Sequence, residues 1–153
     1  MSDLDEVVRR LDALEAIEEI KQLKARYFRF VDEKKHDELE ALFTPDADLV
    51  TDGISFKSPQ EFADTIRDLT GAAPSVHHGH MPEIQITGPD TASGIWAMED
   101  LLTFPAGEGA PDGHRGYGQY REGYKKVDGS WLIDSLVLTR FRVDPLDNWV
   151  ADD

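Results

Sequence analysis

Apolar residues in the first third of the chain recur in steps of three and four: Leu4, Val7, Leu11, Leu14, Ile17, Ile20, Leu23, Tyr27 and Phe30. That spacing puts them on one stripe of a long helix. Ser2 with Asp5 offers a capping box at its start. A short second helix is expected over about 37–43, ended by Pro45. Ala47 to Thr51 and Ile54 to Phe56 read as a hairpin around the Asp52-Gly53 turn. Ser58-Pro59-Gln60-Glu61 combines a hydroxyl cap, a proline at the first helical position and an acid three residues after the cap. It predicts a third helix with Phe62, Ile66 and Leu69 on its buried side and Gly71 closing it.

From Ser75 the period of the pattern changes from 3.6 to 2. Four long strands are expected over 75–87, 91–104, 115–127 and 131–143. Gly88-Pro89 and Asp128-Gly129 turn the chain between them, and Pro105 to His114 forms a longer loop. Helices followed by such a meander predict an α+β fold. The expected shape is a cone-shaped α+β barrel, a curved mixed or antiparallel sheet wrapped around the N-terminal helices, with a pocket at its open end. One domain would span 1–143, with an acidic C-terminal extension over 144–153.

Composition narrows the function. The chain has 153 residues, 40% of them hydrophobic, enough for one core and one domain. Its formal net charge of −15, without a basic block, argues against nucleic acid and against anionic membrane surfaces. No apolar run approaches the ~20 residues that span a bilayer. The opening MSDLDEVVRR lacks the apolar region of a secretory leader, so a cytoplasmic location is expected. With no cysteine, disulfides, thiolate metal sites and a cysteine nucleophile are excluded.

Several polar residues interrupt apolar patterns. Asp100 alternates with Trp96, Met98, Leu102 and Phe104, and a buried carboxylate needs a partner. Arg140 alternates with Leu132, Leu136 and Leu138. A buried guanidinium wants a carboxylate or an anionic ligand, so an Arg140–Asp100 bridge and a ligand contact both fit. Tyr27 lies on the apolar stripe, where its hydroxyl needs a partner or only packs. Asp32 follows just over one turn later. Ser75 to Glu83 holds three of the five histidines, at 77, 78 and 80. Such a cluster suits proton transfer, a metal with Glu83, Asp32 or Asp100, or simple packing. No spacing here fixes a ligand geometry, and neither metal nor cofactor is expected.

Ala25 to Asp32 (ARYFRFVD), Phe43-Thr44-Pro45-Asp46-Ala47, His77-His78-Gly79-His80 and Trp131 after Asp128-Gly129 together resemble the SnoaL-like branch of the nuclear-transport-factor-2-like superfamily. The likeness covers about Leu11 to Val143. Within it, bile-acid 7α-dehydratase is the nearest likeness, with scytalone dehydratase and lindane dehydrochlorinase further off. The resemblance implies a cofactor-free eliminase built on an Asp–His pair with a helix tyrosine. Matched by motif, these are Asp32, His77 and Tyr27, with Asp100 as the strand acid and Arg140 on the final strand. The first hairpin, Leu49-Val50-Thr51-Asp52, is shorter than in the bile-acid enzyme and lacks its further tyrosine.

One conflict arises. Alternation back from Ile86 and Ile84 places Pro82, His80, His78 and Val76 on the apolar face and turns His77 away. A bulge at Gly79 or near Pro82 would reverse that. The expected function is a cofactor-independent lyase of the dehydratase type acting on a small hydrophobic substrate, steroid-like, polyketide or aromatic. His80, Trp96, Met98 and Leu138 are expected to contact the substrate. A cyclase, a ketosteroid-isomerase-like proton shuttle and a non-catalytic small-molecule-binding domain remain alternatives. Ile95, Ala97 and Leu101 on the open sheet face suggest a homo-oligomer, and the resemblance implies a trimer rather than a dimer.

Overall fold

The structure is a computed structural model describing residues 2–104 and 113–146. In chain order it contains α1 (Asp3–Asp32), α2 (His36–Glu40), β1 (Phe43–Thr51), β2 (Ile54–Phe56), α3 (Pro59–Thr70), β3 (Ser75–Gly88), β4 (Thr91–Thr103), β5 (Gly113–Val127) and β6 (Ser130–Pro145). The strands form one sheet in the order β2-β1-β6-β5-β4-β3. β1 and β6 run parallel and the other neighbours antiparallel. This is the α+β cone expected from the sequence, a curved six-stranded sheet around the helices.

Local signals explain the element ends. The Ser2 hydroxyl accepts from the Asp5 N–H while the Asp5 carboxylate takes the Ser2 N–H, closing the capping box. The Ser58 hydroxyl accepts from the Glu61 N–H at the start of α3. Asp52 and Asp128 at φ near 50°, each followed by a glycine at φ above 80°, build two tight hairpin turns with both central residues left-handed. Among the described residues, no helix is long and apolar enough to cross a membrane.

The helical stripe is only partly a core. Ala16, Ile20, Leu23, Lys24, Tyr27 and Val31 are buried. Leu4, Val7, Leu11 and Leu14 stay exposed, because the first turns of α1 run free of the sheet. α2 is shorter than expected. Phe43 and Pro45 belong to β1, where a register shift between Phe43 and Asp48 accommodates a residue that cannot donate to the ladder. In α3, Phe62 is buried but Leu69 is exposed.

Two bulges decide which side chains face inward. Between His80 and Glu83 the β3–β4 register slips, with Met81 at φ 38°. The inward set is therefore Ser75, His77 and Gly79 before the slip and Ile84 and Ile86 after it. Gly79 is held tight against α1, since a Cβ there would stand 2.6 Å from the Phe28 ring. Between Tyr124 and Gly123 the β5–β6 register skips Asp134. Trp131 and Ile133 point inward before it and Leu136, Leu138 and Arg140 after it, so Leu132 does not share their face. β6 runs to Pro145, two residues into the expected extension. The remainder of that extension and most of the expected 105–114 loop lie outside the described residues.

Candidate active site

Asp32 is the last residue of α1, and the bulge turns His77 of β3 toward it. The His77 ring Nδ1 stands 2.7 Å from Asp32 Oδ1, and the His77 backbone N–H donates to Oδ2 at 2.9 Å. The Ser75 hydroxyl also donates to Oδ1, at 3.0 Å, and accepts in turn from Lys34 Nζ at 3.0 Å. A carboxylate only accepts, so Nδ1 is the donor in this contact. The His77 side chain is only 10% exposed and lines a cavity.

That cavity measures about 140 Å³. Val31, Phe56, Phe62, Ile66, Leu102 and Leu138 give it apolar walls, and Tyr27 and Tyr120 bring hydroxylated rings to it. Both phenols are pushed well above their ordinary range, first by burial and next by a nearby negative or phenolic neighbour. They are therefore neutral hydrogen-bond donors.

A second polar cluster lies on the same cavity. Arg140 donates to Asp52 at 2.5 Å and to Asp100 at 2.5 Å, and its backbone N–H reaches Asp52 at 2.8 Å. Burial alone would lower the guanidinium, but the bonds to Asp100 and Asp52 outweigh it and the group is raised. His114 of β5 stands 3.8 Å from Asp100, with its ring edge-on to Phe104. Burial holds His114 below its usual value, which keeps it neutral. Thr51 Oγ1, His114 Nε2 and Arg140 Nε are buried without a hydrogen-bond partner among the described residues. All three residues line the cavity. Unsatisfied buried polar atoms are costly and few in native proteins. His114 Nε2 faces the equally unpartnered Asp100 Oδ1 at 3.8 Å, and Arg140 Nε lies beside Gly116, so these atoms sit just behind the cavity wall.

Residues 12–137 match the SnoaL-like domain family. The chain belongs to that family. A curated relative, "Probable cyclase FGR4" of Gibberella zeae, is 28% identical over 142 residues, covering 82% of this chain and 91% of that protein. A candidate scytalone dehydratase from Novosphingobium aromaticivorans has the same fold, with a TM-score of 0.76 at 19% identity over 91% of this chain and 93% of that one. So does the hexachlorocyclohexane dehydrochlorinase LinA-type3 of Novosphingobium barchaimii, at TM-score 0.71 and 21% identity over 99% and 100% of the two chains.

Of the five residues expected to act together in this SnoaL-like protein, Asp32 pairs with His77 and Asp100 with Arg140 in two separate clusters, and Tyr27 lines the cavity between the same walls as His77 and Arg140. Asp100 is fully buried behind Arg140 and does not line the cavity. Of the four expected contact residues, only Leu138 does. Trp96 and Met98 are buried in the core, with Trp96 Nε1 donating to the Tyr124 hydroxyl at 2.9 Å. His80 lies on the outer face of the sheet, half exposed, because the bulge comes after it and its strand parity is opposite to that of His77.

Sequence reasoning missed Asp52, Thr51, His114 and Tyr120. It also missed Lys24 and Glu122, a fully buried ion pair beneath the cavity floor. The Lys24 ammonium lies over the Tyr27 and Tyr120 rings, 3.8 and 3.6 Å from their centroids. Burial lowers it to about 8 against the pull of Glu122. Glu122 also accepts from the Tyr124 hydroxyl at 2.5 Å.

Proposed function

We propose that this protein is a cofactor-independent lyase that removes a proton and a leaving group from adjacent carbons of a small, largely apolar substrate. The supporting observation is the carboxylate-oriented imidazole of His77, which lines a largely apolar cavity together with Tyr27, Tyr120 and Arg140. His77 takes the proton from the carbon next to an activating group. The C–H electron pair becomes the new double bond as the leaving group departs with its own pair, a halide as the free anion and a hydroxyl as water on taking the proton back from the His77 imidazolium. Asp32 fixes the tautomer and stabilises the imidazolium, the role an acid plays in a hydrolase triad. Arg140, held by Asp52 and Asp100, and the neutral Tyr27 donate to the oxygen that gains charge. Asp100 acts through Arg140. Thr51 and His114 receive the remaining polar atoms of the substrate.

The cavity limits what can enter. A cavity near 150 Å³ accommodates a benzene-sized ring, so the reading favours single-ring substrates over a steroid nucleus. Turnover of a panel of small cyclic β-hydroxyketones and cyclic halides tests it. Wild type is expected to eliminate water or halide. His77→Ala and Asp32→Asn should fall by about 10²–10⁴-fold, the usual contribution of a positioned base. Wild-type rates in both variants would refute the assignment.

The cyclase relative favours a second reading, in which His77 generates a carbanion that closes a ring within the substrate. Mass spectrometry separates the two: elimination yields a lighter product and halide or water, whereas a plain ring closure yields an isomer. A homo-oligomer is part of the same reading and is supported by the exposed Leu4, Val7, Leu11 and Leu14 of α1, whereas a trimer rather than a dimer follows only from the family resemblance.

A further inference from the structure

Three side chains on the outer face of the sheet converge away from the cavity. His78 and His80 are two residues apart on β3, on the face opposite His77 and Gly79. Glu99 on β4 is the direct cross-strand partner of His78 and lies diagonal to His80, which pairs with Ala97. One nitrogen of each histidine and one oxygen of Glu99 all lie within 4.8 Å of one another. His80 Nε2 is 3.4 Å from Glu99 Oε2, and the two rings stand edge to face with centroids 5.8 Å apart.

We propose that His78, His80 and Glu99 form a surface site for a divalent transition-metal cation of the zinc, nickel or copper type. The distances support it. Ligands about 2.1 Å from a tetrahedral zinc are separated by roughly 3.4 Å along each edge, which is the His80–Glu99 spacing already present. The remaining separations exceed that edge by at most about 1.4 Å, within reach of small rotations of exposed side chains. Two imidazoles and one carboxylate match the ligand preferences of these ions, whereas magnesium and calcium prefer oxygen. The strand pairing fixes the Cα positions in advance, so binding orders only three side chains. A net charge of −15 raises the local concentration of cations. Three ligands leave at least one coordination position for water or for a donor from another molecule. The set differs from the partners the sequence suggested: Glu83, Asp32 and Asp100 take no part.

The site does not depend on the proposed reaction. Calorimetric titration of the chelator-stripped full chain with zinc chloride at neutral pH should show one saturable site per chain. His78→Ala and His80→Ala should each weaken it by about tenfold or more, and Glu99→Gln by less. Affinity should fall in acid, where protons compete for the ligands. Magnesium should give no saturable heat. Zinc should raise the melting temperature of wild type and of His77→Ala, but not of a His78→Ala/His80→Ala double variant. All three positions are exposed, so that double variant should melt like wild type without zinc. Absence of saturable zinc binding in wild type, or undiminished binding in the double variant, would overturn the proposal.

Discussion

Replacing Lys24 by methionine strands a charge. Lys24 and Glu122 are both fully buried, and removing one partner of such a pair leaves the other unpaired, at a cost of about 3–5 kcal/mol. Methionine keeps most of the apolar stem, so the penalty falls chiefly on the Glu122 carboxylate and on the lost cation above Tyr27 and Tyr120. The double variant Lys24→Met/Glu122→Leu removes both charges and should recover most of the loss. Its residual deficit should be about 1 kcal/mol, because the Tyr124 hydroxyl loses its acceptor. Urea unfolding followed by tryptophan fluorescence, at fixed protein concentration, reads both values. A single variant within about 1 kcal/mol of wild type, or a double variant as unstable as the single one, would refute the account of a charged, mutually dependent pair.

Gly116 stands beside Asp100 across β4 and β5, and a Cβ there would run into the Asp100 carboxylate and the Arg140 guanidinium. Gly116→Ala should lower stability by about 1–3 kcal/mol and reduce turnover more than a surface glycine change does. An unchanged melting temperature and rate would show that the ion pair can shift freely. His36 is buried, its Nδ1 lacks a partner among the described residues, and burial holds it below its ordinary 6.5. It folds neutral, so stability should fall as pH drops below about 6.5, above the range where most carboxylates titrate. His36→Leu should flatten that part of the profile, measured as urea midpoints against pH. Light scattering coupled to size exclusion should find an oligomer, and charged residues at Val7 and Leu11 should reduce its mass if the bare end of α1 is part of the contact.

What could be read from the sequence was local. The Ser2 and Ser58 caps, the Asp52-Gly53 and Asp128-Gly129 turns and the switch from a 3.6 to a 2 period all depend on neighbours within a few residues. The bulges could not be read this way. Alternation assumes an unbroken period, and one extra residue at Met81-Pro82 or at Asp134 reverses every side chain beyond it. That is why unbroken alternation favoured His80 over His77 and placed Leu132 with Leu136. The motif resemblance pointed to His77 without explaining how it turned inward. Asp52 was recognised only as a turn former. Its bond to Arg140 spans 88 residues and follows from the parallel β1–β6 pairing, which leaves no local trace. Glu122 was legible in principle, since Tyr120, Glu122 and Tyr124 repeat the buried-acid alternation that singled out Asp100.

Two polar groups at the cavity, the His77 imidazole and the Arg140 guanidinium, are backed by carboxylates, and a further carboxylate lies deeper. Asp32 lies behind His77, Asp52 and Asp100 behind Arg140, and Glu122 behind the Lys24 ammonium that lies under Tyr27 and Tyr120. A bare imidazole or guanidinium in apolar walls would swing toward solvent or lose its charge. An acid behind it removes that freedom, so on the proposed function the ring of His77 and the guanidinium of Arg140 would be held in place before a substrate arrives. Fixed dipoles in a water-poor cavity need no reorganisation when charge develops, which is where electrostatic catalysis gains most. On the proposed function, the same arrangement would leave the choice of substrate to the apolar lining. The polar atoms are committed to fixed positions, and only the walls formed by Val31, Phe56, Ile66 and Leu138 can vary the size and shape of the substrate.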